Sequence, residues 1–391
     1  MGSGSGSGTE PDPEPGPEPG TEPDPEPDPE PGTEPGTVPG TDDTMWGLLG
    51  WSGCVSENRC VVLASRPTGA PVPENFRLET RPVAVVQPGQ IKCKNLFISL
   101  DAGFRNWMDE DSGDDVLPAM PLGEPVMGLT MSEVVESQHA DFQVGDMLMA
   151  RFAWEEITVT DAGDFISPIP EVQYPLNYYL GVLGDTGLSA YFGLLDHGEV
   201  QAGETVLVSA AAGAVGSIAG QIAKMLGART VGVTSGAEKC QRIMDELGYD
   251  AAIDRTAPDL DAEMLAACPD GVDVYFDNVG GSLLETTLNH INVNARILLC
   301  GAVASYNSEQ PTPGPNNLFQ LTTNRAHMHG FMTHMNLPRY DEARAELAAW
   351  IEQGHLKVHE HRLHGIDQVG QAFCDLFAGV NFGKTIVELD S

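Results

Sequence analysis

Positive charge is scarce in this sequence: 20 Lys and Arg stand against 57 Asp and Glu across 391 residues, a formal net charge of −37. A protein that tracks a phosphate backbone needs a basic face, so no nucleic-acid partner is expected. Long apolar runs are missing too. None approaches the roughly 18 residues of a membrane span, and the N-terminus lacks the basic start and apolar core of a secretory signal. The seven cysteines (Cys54, Cys60, Cys93, Cys240, Cys268, Cys300 and Cys374) are odd in number and contain no C-x-x-C pair, as expected of reduced thiols. Together these absences predict a cytoplasmic protein that binds neither membrane nor nucleic acid.

The acidity is not confined to one place. Residues 1–43 hold twelve acidic and no basic residues, and the remainder, with twenty basic against forty-five acidic, still carries −25. That first stretch has proline at nearly every second position, and residues 1–56 are expected to form a disordered acidic tail. The apolar segment from Thr44 to Val55 is expected to be poorly ordered as well. Residues 59–180 show short strand-like runs between turn residues ("CVVLAS", "IKCKNLFISL", "MGLTMSEVVES", "DMLMARF"), which predicts a β-rich, barrel-like domain. From Ser189 apolar strands alternate with helices ("ETVLVSA", "TVGVTS", "DAAID", "VDVYFDNV", "ARILLCGAV"), the pattern of a doubly wound parallel sheet. The closing run "GKTIVELD" reads as a strand that returns to complete the first domain.

"VLVSAAAGAVGSIAGQ" places Ala210-x-x-Gly213-x-x-Gly216 between a strand and an amphipathic helix, a variant of the dinucleotide-binding fingerprint. Gly213 would admit a pyrophosphate to the backbone, Gly216 would let the helix close on the strand, and the helix N-terminus would supply amides. At the end of the next strand, where an acid would bind a free ribose diol, stand Ser235 and Gly236, with Lys239 behind and Arg255 after the following strand. That pocket suits a 2′-phosphate, so NADP(H) is the expected cofactor. No metal is expected: "PLGEPVMG" offers Glu124 without a nearby histidine, no cysteine cluster exists, and the histidines at 355, 359, 361 and 364 and at 327, 329 and 334 lack any ligand spacing.

"NRCVVLASRPTGAPVPENFRLE", "AAAGAVGSIAGQIAKMLG", "PDGVDVYFDNVGG", "LLCGAVASYN" and "NFGKTIV" together resemble the zinc-independent prostaglandin reductase and alkenal (enone) double-bond reductase family of the medium-chain dehydrogenases/reductases. The similarity runs from Asn58 to Leu389. It implies an α/β protein with a GroES-like β-barrel catalytic domain (57–185 and 345–391) and a Rossmann NADP-binding domain (186–344), usually a homodimer. It also implies pyrophosphate at Gly213, Ala214, Val215 and Gly216, 2′-phosphate at Ser235, Lys239 and Arg255, and Asn278, Cys300, Gly301, Tyr306, Phe331 and Asn381 along the rest of the cofactor. Arg255 stands where the family commonly has tyrosine. The family's D-P-Y-M-R box reads Asp101-Ala102-Gly103-Phe104-Arg105 here, so a substrate contact from its tyrosine is not implied.

The chemistry so implied is hydride transfer from NADPH to the β-carbon of a small-molecule enone or alkenal, with Tyr306 donating a hydrogen bond to the developing enolate oxygen. A quinone reductase of the same fold, or an NADP-binding protein without catalysis, is the alternative.

Overall fold

The computed structural model describes residues 57–111, 116–169, 171–308 and 312–390; the tail expected over residues 1–56 lies outside them. The chain opens with a hairpin of β1 (Glu57–Leu63) and β2 (Phe76–Pro82). Then come β3 (Ile91–Ser99), β4 (Met127–Ser137), β5 (Met147–Ala153), β6 (Ile157–Thr160) and β7 (Ile166–Ile169). β3 buries alternate residues Ile91, Cys93 and Asn95, as a half-buried strand must. A bulge between Asn95 and Phe97 then shifts its register against β4, so Ile98 and Ser99 are both covered.

The second half alternates. After α1 (Asp185–Phe192) the order is β8 (Thr205–Ser209), α2 (Ala214–Met225), β9 (Arg229–Thr234), α3 (Ala237–Leu247), β10 (Ala251–Asp254) and α4 (Leu260–Ala267). It continues through β11 (Val272–Asp277), α5 (Gly281–Leu288), β12 (Ile291–Leu299), α6 (Phe319–Thr323), β13 (His327–Gly330) and α7 (Tyr340–Glu352). The strands form a parallel six-stranded sheet in the order β10-β9-β8-β11-β12-β13, with β8 buried along its whole length. This is the expected Rossmann sheet, and strand order reverses between β8 and β11, where such folds open a crevice for ligands. Gly220 of α2 is a seat for the buried ring of Tyr249: a Cβ there would lie 2.0 Å from Tyr249 Cζ.

β14 (Glu360–His364), α8 (Val369–Ala378) and β15 (Lys384–Glu388) return to the first half. β15 lies antiparallel to β3 and completes a seven-stranded sheet in the order β14-β15-β3-β4-β5-β7, with β6 also on β3, as "GKTIVELD" suggested. The boundary expected between residues 344 and 345 needs correcting, because it cuts α7. That helix buries Tyr340, Ala343 and Leu347 in the core shared with α1 and α2, and the chain rejoins the barrel sheet only at Glu360. The buried Gln221 of α2 clamps the connection, donating to Lys357 O (3.0 Å) and accepting from Lys357 N (2.8 Å). No helix among the described residues is long and apolar enough to cross a membrane, and the six described cysteines are free thiols.

Candidate active site

Three groups of predicted residues gather at the carboxyl ends of the parallel strands. The first is the glycine turn. Gly213 is the N-cap of α2, and no side chain caps the amides of Ala214, Val215 and Gly216 that follow it. Those amides have no partner within the helix, so they remain as donors for an anion. A Cβ on Gly216 would come within 2.3 Å of Ala210 O, and one on Gly213 within 3.0 Å, so side chains at either position would fill the cradle. Ala210, where the fingerprint has its first glycine, takes a left-handed φ of 49°, a strained turn worth roughly 1 kcal/mol. The turn is braced from the barrel side by Gly383 N donating to Ala212 O at 2.8 Å.

The second group lies past β9 and β10. Lys239 Nζ donates to the carbonyls of Gly379 and Asn381, 2.6 Å each, which leaves one of its three protons for a further acceptor. Burial and the neighbouring Arg242 and Arg255 hold its pKa below the usual lysine range. Ser235 Oγ lies 3.5 Å from the Cβ position of Gly379, and the exposed Arg255 follows β10 directly. Asn381 Nδ2 donates to Gly383 O (3.0 Å) and so stiffens the same loop. Two features escaped the sequence reading. Arg242 comes three residues after Lys239 on α3 and stacks over Phe382, 3.8 Å from its ring centre; the i, i+3 spacing was the available signal. An acid also reaches this loop from the next strand: Asp254 Oδ1 accepts from Gly236 N (2.9 Å), Thr256 N (3.0 Å) and Thr256 Oγ1 (2.7 Å). These bonds, led by the one from Gly236, lower its pKa and occupy that oxygen.

The third group hangs on Asp277, a buried carboxylate at the end of β11. Its Oδ1 accepts from Ser209 Oγ (3.0 Å), Tyr275 OH (2.8 Å), Val279 N (2.9 Å) and Gly280 N (2.9 Å). Its backbone carbonyl accepts from Cys300 N (2.8 Å) and Gly301 N (3.1 Å). Asn278 donates through Nδ2 to Ser209 O and through its amide to Ser209 Oγ, 2.7 Å each. The acid closing "VDVYFD" was visible in the sequence, but its partner Ser209 stands 68 positions away and was not.

Tyr306 closes the loop that begins at Cys300. Ala302 N donates to its phenolic oxygen at 3.0 Å, which fixes the oxygen, and among the described residues no acceptor takes the phenolic hydrogen. Burial raises the phenol's pKa, so it stays protonated as a donor at neutral pH. Burial likewise pushes the Cys300 thiol up to about 12, which makes it a neutral wall of the site. Phe331 packs its ring near Phe276 (6.1 Å) and His197 (5.1 Å), so its side chain supports the end of β13. The altered box forms a short helical turn, Ala102–Met108; Asp101 just before it pairs with the buried Lys384, and Arg105 within it donates to Pro67 O and Gly69 O. Among the described residues no three His, Cys, Asp or Glu converge in a way that would hold a metal ion. His359 instead faces Glu246 (3.6 Å) and His329 stacks on His197 (4.3 Å).

Two family models match the chain, one described as the N-terminal domain of oxidoreductase over residues 59–167 and one described as zinc-binding dehydrogenase over residues 214–352. The chain is 39% identical over 337 residues to the NADPH-dependent curcumin reductase of Escherichia coli (strain K12), covering 85% of this chain and 97% of that protein. It is 35% identical over 334 residues to the 2-alkenal reductase (NADP(+)-dependent) of Nicotiana tabacum, covering 84% and 97%. The crystal structure of CurA in complex with NADPH from Vibrio vulnificus matches with a TM-score of 0.79 at 36% identity, over 85% of this chain and 99% of that one.

Truncating Asp277 to Ala strands four donors in a dry interior, and urea unfolding should show a loss of about 3–5 kcal/mol. Asp277→Asn, which keeps one acceptor oxygen, should lose less. A loss under about 1 kcal/mol for the Ala variant would mean the carboxylate does not organise these loops.

Proposed function

The chain belongs to the zinc-independent prostaglandin reductase and alkenal double-bond reductase family, and on that premise we propose that it reduces the C=C bond of α,β-unsaturated ketones and aldehydes with NADPH. The observation that carries this reading is the phenol of Tyr306: its oxygen is held by Ala302 N while its proton is left to donate, beside a cradle built for a dinucleotide. NADPH, when bound, supplies the hydride for the β-carbon of the substrate.

The residues of this chain do the rest. Gly213, Ala214, Val215 and Gly216 receive the pyrophosphate on uncapped amides. Ser235, Lys239 and Arg255 receive the 2′-phosphate, Lys239 with its remaining proton and Arg255 with a guanidinium open to solvent. Asn278, Cys300, Gly301, Phe331 and Asn381 line or support the remainder. Tyr306 donates to the carbonyl oxygen of the substrate as negative charge grows there, a contact stronger in the transition state than in the ground state and therefore catalytic. With Ala102 and Gly103 where the D-P-Y-M-R box has proline and tyrosine, this part of the pocket offers the substrate no phenol contact.

We further propose that the protein is a homodimer. β13 is the terminal strand of its sheet, and near it Phe319, Met332, Met335 and Leu337 are exposed large apolar side chains, a combination that favours pairing with a second copy.

Three measurements test these assignments. NADPH oxidation against enones, alkenals, quinones and alcohols should respond to enones and alkenals, and Tyr306→Phe should lower kcat about 100-fold with NADPH affinity unchanged. Full turnover in that variant, or turnover of quinones alone, would replace the mechanism. Lys239→Ala should raise the KM for NADPH about tenfold while leaving that for NADH nearly fixed; equal effects on both would remove Lys239 from 2′-phosphate recognition. Sedimentation equilibrium should return twice the chain mass, and a monomer at micromolar concentration would refute the pairing.

A further inference from the structure

Asp185 has no part in the chemistry above, yet it stands in the same crevice. It opens α1, where it is exposed while the seven residues that follow are all buried. Protein nevertheless surrounds it closely enough that desolvation leads the causes raising its pKa. Thr333 Oγ1 donates to its Oδ1, and Oδ2 has no hydrogen-bond partner among the described residues.

Its neighbours locate it along the cofactor. Cys300 follows β12 and Thr333 follows β13, so Asp185 faces the carboxyl ends of those two strands. The cations proposed for the 2′-phosphate lie beyond β9 and β10, and the glycine turn follows β8. A dinucleotide laid across the crevice with its adenosine end over β9 and β10 brings its nicotinamide end over β11 to β13, which is the side Asp185 occupies.

Of the groups facing Asp185, His334 is the one whose charge favours the carboxylate without an opposing partner of its own. From the barrel side come Lys384 of β15 and Asp101 beyond β3, which pair with each other and cancel to first order. From the end of β13 come Thr333 and His334; from β12 comes Cys300, and from the start of α7 Tyr340, a thiol and a phenol both held neutral mainly by burial.

We propose that Asp185 is the electrostatic counter-charge to the nicotinamide, favouring its oxidised, cationic form and so easing the departure of hydride. This rests on the NADPH reading above. A carboxylate within a few ångströms attracts the oxidised ring and not the neutral reduced ring, and in a water-poor crevice that difference is worth on the order of tenfold in relative affinity. The effect is present above the pKa of Asp185 and is lost as pH falls through it.

The test is fluorescence titration of the full chain with NADPH and with NADP+, from about pH 5.5 to 8.5, for the wild type, Asp185→Asn and Asp185→Ser. Asn keeps the acceptor for Thr333 without the charge, and thermal melting of both variants checks the fold. In the wild type the ratio Kd(NADP+)/Kd(NADPH) should fall as pH rises. In both variants it should lie about tenfold higher at the alkaline end and be flat with pH. An unchanged ratio and pH profile, or equal weakening of both forms, overturns the role of Asp185 alone. Failure of the wild type to bind either form overturns the cofactor reading as well.

Discussion

Asp277 Oδ1 collects four donors at the carboxyl end of β11, in an interior from which water is excluded. Two come from the turn just after it, one from its own strand and one from β8, across the point where strand order reverses. The main-chain carbonyl of the same residue holds the first two amides of the loop that carries Tyr306. A single buried residue thereby ties together three segments: the end of β8, the turn after β11 and the loop after β12. The glycine turn and the tyrosine can be placed relative to one another because both are referred to this carboxylate.

Preorganisation extends to the other sheet. Lys239 is tied to the carbonyls of Gly379 and Asn381, and Gly383 N to Ala212 O, so the loop leading into β15 is stitched to the edge of the dinucleotide cradle on both sides. A cation already desolvated and aimed by two carbonyls loses less entropy on meeting a phosphate than a free surface lysine does.

What could be read from sequence was what local patterning controls. Strand–glycine turn–helix spacing identified Gly213 and Gly216, and alternation identified β3 to β5 and the return strand from Lys384. The boundary inside α7 was misplaced because helix periodicity says which face is buried and not against which sheet; Tyr340, Ala343 and Leu347 settle that only in three dimensions. Asp254 and Asp277 were passed over for the same reason: an acid at a strand end looks alike whether it caps a turn, organises two loops or binds a ribose. Asp185 carried no signal at all, because its surroundings come from β12, the turn after β13, α7, β15 and the segment after β3.

The pairing of β15 with β3 sets Ser99 opposite Ile386, almost three hundred positions apart. During synthesis the first sheet therefore waits, with Phe97 to Ser99 presenting an open edge and Asp101 without Lys384, while every strand of the parallel sheet has already emerged. The dinucleotide half can assemble on the ribosome from contiguous sequence. The site between the two sheets becomes complete only when the segment from Gly379 to Lys384 arrives.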